Sequence, residues 1–283
     1  MGTKESSYYN LESTINALGP VGMARYALER WGILGTAARF LLMKSETKKF
    51  LKSGCGKLES GQLKKLLKSF DRIHANVKST HSPFQFVLIS KYVLELDVHG
   101  PIVECGCYKG SSSAKLSILA KITNRQLFIC DSFAGLPSPQ NKEEAQLEGH
   151  GDIHGYIYAE GDYAATVEEV KQNIQKYGCI EVCKFIPGFY KDSLCNLDVN
   201  PACVVMDVDL ISSARDCLKY LWPRTVKDGL WFTHEACFPT YISGLLDAEW
   251  WRSTLNETSP IIFGAGSGLS ECATGLAYFK KVS

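Results

Sequence analysis

From residue 101 onward, short apolar runs alternate with segments of helical periodicity, and no other feature of the sequence constrains the fold as strongly. The apolar runs predict strands at 101–104, 126–131, 181–188, 202–209, 229–235, 259–266 and 273–281. Strands that alternate with helices along the chain pair in parallel, so the sequence predicts an α/β, doubly wound sheet. In such sheets ligands bind beyond the carboxyl ends of the strands, which is where candidate site residues are sought.

Four of the predicted strands end in acidic side chains. These are Glu104, Asp131, Asp207 with Asp209, and Glu235, which follows His234. Because the carboxyl ends of parallel strands meet at the same edge of a sheet, we expect these groups to line one crevice. At the end of the second strand, a carboxylate such as that of Asp131 commonly accepts hydrogen bonds from ribose hydroxyls.

The turn after the first predicted strand combines Gly106 and Gly110 with three serines that begin a helix. Glycines let the backbone approach a ligand closely, and the N–H groups at a helix start attract polar or anionic groups. Glu104, at the strand tip, can accept from a cationic or hydroxyl-bearing group. The spacing matches neither GKS/GKT nor GxGxxG, which argues against a P-loop and against a dinucleotide fingerprint.

The first 78 residues differ from the rest of the chain in charge and periodicity. They hold 14 Lys/Arg and 6 Asp/Glu, whereas the remainder holds 17 and 24. Residues 8–73 show helical spacing, broken at Gly19-Pro20 and around Gly54-Cys55-Gly56. We therefore predict a helical cap or oligomerisation region at 1–78 and one α/β domain at 79–283. The net charge of +1 argues against a nucleic-acid partner.

The eleven cysteines are scattered, and no CxxC pair occurs among them. The polar start MGTKESSYYN carries no apolar signal segment, and no run approaches the length that spans a membrane. This pattern predicts buried, reduced thiols, a cytoplasmic location and no membrane span.

Five sequence blocks occur in an order and spacing that resemble a known family. They are VECGCYKGSSSA, FICDSFAGLP, EGDYAATVEEVKQNIQKYG, FIPGFYKDSL and VVMDVDLISSARDCLKYLWPRTVKDGLWF. Together they resemble the macrocin/mycinamicin type of S-adenosylmethionine-dependent O-methyltransferase over about residues 80–280. The resemblance implies a class I (Rossmann-like) methyltransferase fold. It also implies transfer of a methyl group to a hydroxyl of a small natural-product or sugar-like acceptor, by a homo-oligomer.

The resemblance also implies roles for individual side chains. The methionine end of the cofactor would contact Glu104, Gly106, Tyr108, Gly110 and Ser111. The ribose would be bound by Asp131 and Ser132, and the adenine side would lie near Asp162, Gly188, Phe189 and Tyr190. Loop 135–160 would form a lid, with His150 and His154 toward the substrate.

The family holds a magnesium ion beside the transferred methyl group, and here its ligand pattern changes. Asp207 and Asp209 match the fourth-strand motif. At the end of the fifth strand, however, His234-Glu235 stands where the family usually has two acidic residues. The expected metal ligands are Asp207, His234 and Glu235, and the expected catalytic residues are Asp207, Asp209 and His234. Three possibilities stay open: magnesium on carboxylates, a transition metal, or no metal with His234 as general base.

Three alternatives to an O-methyltransferase also stay open. An N-methyltransferase of the same fold would need less help in removing a proton from its acceptor. A relative that binds the cofactor without methylating is a second alternative, for which the changed His234-Glu235 pair is the only support. An NAD(P) oxidoreductase would suit the position of Asp131 but lacks the GxGxxG turn.

Overall fold

The computed structural model describes residues 33–147, 155–266, 269 and 274–282, with side chains from residue 40 onward. Three helices precede the sheet: α1 (Ile33–Ser53), α2 (Ser60–Asn76) and α3 (Pro83–Leu94). Both α2 and α3 begin with capping boxes, formed by Glu59 with Gln62 and by Ser82 with Gln85. The predicted break around residues 54–56 separates α1 from α2. The helical patterns predicted at residues 8–32 lie outside the described residues.

A six-stranded sheet forms the centre of the molecule, in the order β5-β2-β1-β6-β7-β8. Its strands are β1 (Ile102–Cys105), β2 (Leu127–Asp131), β5 (Cys183–Pro187), β6 (Cys203–Met206), β7 (Leu230–Thr233) and β8 (Ala277–Lys280). All neighbouring pairs are parallel except β7 and β8, which are antiparallel. A small antiparallel hairpin, β3 (Gln146–Leu147) with β4 (Tyr156–Ile157), stands apart from this sheet.

Helices cover both faces of the sheet. They are α4 (Ser111–Ile122), α5 (Lys142–Ala145), α6 (Val167–Tyr177), α7 (Tyr190–Ser193), α8 (Ile211–Leu221), α9 (Pro239–Leu245) and α10 (Ala248–Trp250). A 3-10 turn (Ile180–Val182) precedes β5, and a π-helical turn (Trp251–Leu255) follows α10. The predicted α/β, class I methyltransferase architecture is thus confirmed.

The core lies in two layers because successive strand residues point to opposite faces of the sheet. Ile129 packs into the layer that also contains Phe70 of α2, whereas Cys130 packs into the layer that contains Leu218 of α8. Burial on both faces accounts for the continuous apolar runs of β6 and β7. Since residues of α2 share a core with the sheet, this helix is one wall of the α/β body. The boundary at residue 78 stays a prediction.

Two details of the predicted sheet were wrong. The segment 259–266 forms no strand but only a single bridge, from Phe263 to Tyr278. Gly264 and Gly266 adopt φ values of 92° and 75°, and this left-handed backbone turns the chain out of an extended path. The sheet is also not wholly parallel, because β8 returns antiparallel to β7. In the described part of the chain, no helix has the length and apolar character to cross a membrane.

Candidate active site

The turn after β1 is shaped by Gly106. Its φ is 88°, and a Cβ atom built there would lie 1.8 Å from the carbonyl oxygen of Asp207 at the end of β6. Only glycine permits this approach, because any side chain would overlap the neighbouring backbone. Gly106 therefore brings the end of β1 against the end of β6, where the acidic groups lie.

Asp131, the last residue of β2, joins two loops through its carboxylate. Its Oδ2 accepts from the Cys107 N–H at 2.7 Å, and its Oδ1 accepts from the Phe133 N–H at 2.8 Å. Each carboxylate oxygen has two acceptor positions, so both remain able to accept a further hydrogen bond from a ligand hydroxyl.

Glu104 is buried beneath the same turn. It is 1% exposed, and its Oε2 accepts from the Ser113 hydroxyl at 2.5 Å, while its Oε1 has no partner among the described residues. Burial raises the pKa of this carboxyl to about 8, even though the hydrogen bond from Ser113 favours the ionised form.

Substituting Glu104 with glutamine is expected to remove a pH dependence of stability. Since the folded pKa of about 8 lies above the ordinary 4.5, the wild-type protein should lose stability as the pH rises between these values. We expect the wild-type free energy of unfolding to fall by about 4 kcal/mol over this range. Urea denaturation at both ends of the range measures it. Exposed Glu143→Gln is the control and should keep the wild-type slope. A Glu104→Gln slope equal to wild type would contradict the assignment.

A cavity of about 380 Å³ opens at the carboxyl edge of the sheet. Most of the predicted site residues line it: Gly106, Tyr108, Asp131, Ser132, Asp162, Phe189, Tyr190, Asp207, Asp209, His234 and Glu235. Sequence reasoning brought these together because their strands or loops end at one edge. The volume lies in the range of small-molecule sites.

Four predicted residues do not line this cavity, namely Glu104, Gly110, Ser111 and Gly188. Gly110 caps α4 in a left-handed conformation, and a Cβ there would lie 2.8 Å from Val170 of α6. The Ser111 hydroxyl instead accepts from the buried Lys115 Nζ at 3.1 Å. These residues shape the turn from behind the cavity wall. His150 and His154, predicted on the lid, lie outside the described residues.

Asp207 is the centre of a cluster of titratable side chains. Its Oδ1 lies 3.1 Å from His234 Nδ1, and its Oδ2 lies 3.1 Å from His81 Nε2. The same His234 Nδ1 is 3.1 Å from Glu235 Oε1. The three predicted metal ligands therefore lie together, because the Nδ1 atom of His234 contacts the carboxylates of both Asp207 and Glu235.

The charges of this cluster shift one another. Although burial opposes ionisation of Asp207, the adjacent His234 and His81 hold the pKa of its carboxyl below its usual range. Burial would lower the pKa of His234, but Asp207 and Glu235 together raise it well above its usual value. The pKa of His81 is lowered from 6.5 to about 4, and burial is the largest cause. The cluster thus concentrates negative charge around a single cationic imidazole.

A second group of acids adjoins it. One oxygen from each of Asp207, Asp209 and Glu235 lies within 4.8 Å of the others. Burial followed by repulsion from neighbouring carboxylates raises the pKa of Asp209 and brings that of Glu235 to about 7. Glu235 Oε2 is buried and has no partner among the described residues.

Aromatic rings also line the cavity. Tyr156 stacks on Tyr158 with centroids 6.0 Å apart and meets the edge of Phe238 at 5.7 Å. Tyr163 joins Tyr158 to Tyr108 through edge contacts at 6.4 and 5.5 Å. Burial, followed by the charge of Asp209, raises the pKa of Tyr158. The cavity thus combines flat aromatic surfaces with acidic side chains.

Sequence reasoning missed His81 and the tyrosines in and just after β4. His81 lies in the link between α2 and α3, and no periodicity or motif ties it to Asp207. Tyr156 and Tyr158 fall in a segment whose sequence predicts only a loop. Of these residues, only the tyrosines carried a signal, as aromatic side chains next to a predicted crevice.

The mostly parallel Rossmann-like sheet, with a glycine turn after β1 and an acid at the end of β2 beside one cavity, defines the class of enzymes that bind a nucleoside-containing cofactor. The sequence profile of the macrocin O-methyltransferase (TylF) family matches residues 85–236, more than half of the chain, and the protein belongs to this family. It is accordingly an S-adenosylmethionine-dependent O-methyltransferase, which confirms the family and the cofactor predicted from the sequence.

Several solved structures are similar to the chain, although no curated protein sequence matches it. The O-methyltransferase NovP has 15% sequence identity and a TM-score of 0.49, covering 88% of this chain and 99% of its own. The calicheamicin methyltransferase CalS11 has 14% identity and a TM-score of 0.48, covering 85% and 91%. The Podospora anserina methyltransferase PaMTH1 has 10% identity and a TM-score of 0.47, covering 85% and 96%.

Proposed function

We propose that this enzyme transfers the methyl group of S-adenosylmethionine to a hydroxyl of a small, sugar-like or natural-product acceptor held in the cavity beside Asp207. The observation that carries the proposal is the continuity of the cavity. The same space is lined by Asp131, at the end of β2, and by the acids that follow β6 and β7. A cofactor and an acceptor could therefore meet in line, as displacement at a sulfonium methyl requires.

The β1–β2 side of the cavity suits the cofactor. Asp131 keeps acceptor positions for ribose hydroxyls, and Gly106, Tyr108 and Tyr190 line the adjoining wall. The Ser132 hydroxyl donates to the Gly135 carbonyl at 2.7 Å, so it would act toward the ribose as an acceptor. Glu104, Gly110, Ser111 and Gly188 would act by supporting the turns around the cofactor.

The β6–β7 side suits the acceptor. Tyr156 and Phe238 offer flat apolar surfaces, and Asp207 and His234 line the same space. An acceptor that combines an apolar ring face with hydroxyl groups matches both surfaces, whereas a wholly apolar molecule would leave the buried carboxylates unpaired.

Proton removal falls to the cluster around Asp207. Because Asp207 and Glu235 raise the pKa of His234, this imidazole must lose its own proton before it can act as a base. In the neutral form whose Nδ1–H donates to Asp207, the Nε2 atom is the nitrogen that would accept the proton of the acceptor hydroxyl. A methyl group built at Gly275, which also lines the cavity, would lie 3.6 Å from this Nε2 atom. Asp207 would thus orient His234.

A divalent cation fits the acidic side of the cluster. Carboxylate oxygens are the donors that Mg²⁺ prefers, and the unpartnered, buried Glu235 Oε2 is an acceptor without a donor. Asp207, Asp209 and Glu235 would hold the ion, with His234 at its border. When bound, it would lower the pKa of the acceptor hydroxyl, as metal ions do for water.

Calorimetric titration of S-adenosylmethionine into chelator-treated protein, with and without Mg²⁺, tests this proposal. We expect the cofactor to bind with micromolar affinity. We also expect a separate heat of Mg²⁺ binding, which the Glu235→Gln substitution should reduce at least tenfold. Exposed Glu160→Gln is the matched control. An absence of cofactor binding in every condition would overturn the proposal, and an absence of Mg²⁺ heat would overturn its metal. Paired acceptors that differ only in a hydroxyl or an amine then separate O- from N-methylation.

Two remaining predictions concern the whole protein. A homo-oligomer is supported by the apolar Phe40, Leu41 and Leu42, which are exposed on α1. Sedimentation equilibrium would test it, and a monomer at micromolar concentration would contradict it.

The cytoplasmic location is supported by the cysteines, all free thiols among the described residues, and cell fractionation would test it.

A further inference from the structure

We propose that His81, Asp207 and His234 form a binding site for a transition-metal ion, distinct in its donors from the acidic group that suits magnesium. The inference rests on the proposed function only in sharing Asp207 and the cavity. It concerns a residue, His81, that lies before the sheet begins.

The distances between the three donor atoms suit a common metal ion. One atom from each residue lies within 4.8 Å of the other two. The His81 Nε2 and His234 Nδ1 atoms each lie 3.1 Å from a different oxygen of Asp207. Adjacent ligands with metal bonds of about 2.1 Å lie about 3 Å apart, so small movements would bring these atoms onto one ion.

The two imidazole rings are held in place by packing. The His81 side chain is 5% exposed, and its ring meets Phe86 of α3 edge-on, with centroids 5.6 Å apart and an angle of 90°. The centroids of the His81 and His234 rings are 4.6 Å apart and the ring planes cross at 73°, an edge-to-face contact beside Asp207. Fixed ligand orientations reduce the loss of side-chain freedom on metal binding.

The donor set selects the kind of metal. Two nitrogens and one carboxylate favour Zn²⁺, Co²⁺ or another transition ion over Mg²⁺, which prefers oxygen ligands. The carboxyl groups of Asp209 and Glu235 lie beside Asp207, and a bound cation would favour their ionised forms. His234 and Asp207 remain 22% and 17% exposed and line the cavity, so an ion here would keep open positions toward the acceptor.

Because Asp207 belongs to both groups, the two kinds of metal should compete. Two cations within a few ångströms repel one another strongly. Transition ions should therefore displace Mg²⁺, and excess Mg²⁺ should displace them only weakly.

The test is a titration of chelator-treated, full-length protein with CoCl₂, followed by visible absorption. We expect ligand-field bands of a low-coordinate, nitrogen-ligated site, displaced by stoichiometric Zn²⁺ but not by a hundredfold excess of Mg²⁺. His81→Gln should weaken Co²⁺ binding at least tenfold. His74→Gln, an exposed histidine on α2, is the matched control and should bind as wild type.

Co²⁺ binding that is unchanged in His81→Gln, or displaced equally by Mg²⁺, would overturn the inference. Calorimetric binding of S-adenosylmethionine to the same variant reports separately on the proposed function and on folding. If His81→Gln does not fold, electron paramagnetic resonance of Cu²⁺ on the wild-type protein decides the question. Hyperfine coupling to two nitrogens is expected, and a spectrum of oxygen ligands alone would refute the site.

Discussion

Replacing Asp207 with asparagine is expected to lower the rate of methyl transfer by a factor on the order of 10³, with cofactor affinity changed less than about threefold. The carboxylate of Asp207 contacts both His81 and His234, at 3.1 Å each. An asparagine amide presents an N–H group to one of these imidazoles and lacks the negative charge that orients both. The cofactor side, around Asp131, keeps its contacts, so the loss should fall on the chemical step.

Single-turnover transfer of a labelled methyl group, together with calorimetric cofactor titration, measures the two effects. Asp198→Asn is the matched control, because Asp198 is exposed and does not line the cavity. Thermal unfolding should verify that the Asp207→Asn variant remains folded. A folded variant with wild-type turnover would exclude Asp207 from the chemistry.

The second large effect is expected from Gly106→Ala. Residue 106 has a φ of 88°, which alanine rarely adopts. In addition, the alanine Cβ would lie 1.8 Å from the Asp207 carbonyl oxygen and 2.8 Å from its carbonyl carbon. Both obstructing atoms are backbone, so β1 and β6 would have to move apart at their ends. We expect the free energy of unfolding to fall by about 3–5 kcal/mol and cofactor binding to be lost.

Urea denaturation and cofactor titration of the Gly106→Ala variant check this expectation. Gly61→Ala on α2 offers a control with the opposite sign. A Cβ at Gly61 has no neighbour within 4 Å, so alanine there should raise stability by about 0.5–1 kcal/mol. A stable Gly106→Ala variant that still binds cofactor would refute the steric explanation.

The sequence was sufficient to predict the sheet and its acidic edge because both follow from local pattern. Apolar runs mark the strands, and parallel pairing carries Asp131, Asp207 and Glu235 to one edge whatever the details of the loops. The turn at Gly106 could likewise be predicted, since a glycine between a strand and a helix indicates a close backbone approach.

Other features depended on contacts between distant parts of the chain. His81 meets Asp207 only because α2 and α3 pack on the sheet, and no spacing in the sequence records that contact. The hairpin carrying Tyr156 consists of two-residue strands, too short for a periodic signal. The strand predicted at 259–266 was wrong although the segment is apolar, because Gly264 and Gly266 adopt a left-handed backbone that ends the extended path.

The hydrogen bonds of Asp131 have a consequence for how a ligand is received. The loops at Cys107 and Phe133 are joined to one carboxylate within the folded chain itself. Conformational entropy at this end of the cavity is therefore lost during folding rather than during association. In the proposed function, the cofactor would therefore meet a site that is already ordered, and loss of Asp131 would remove that order together with the proposed ribose contact.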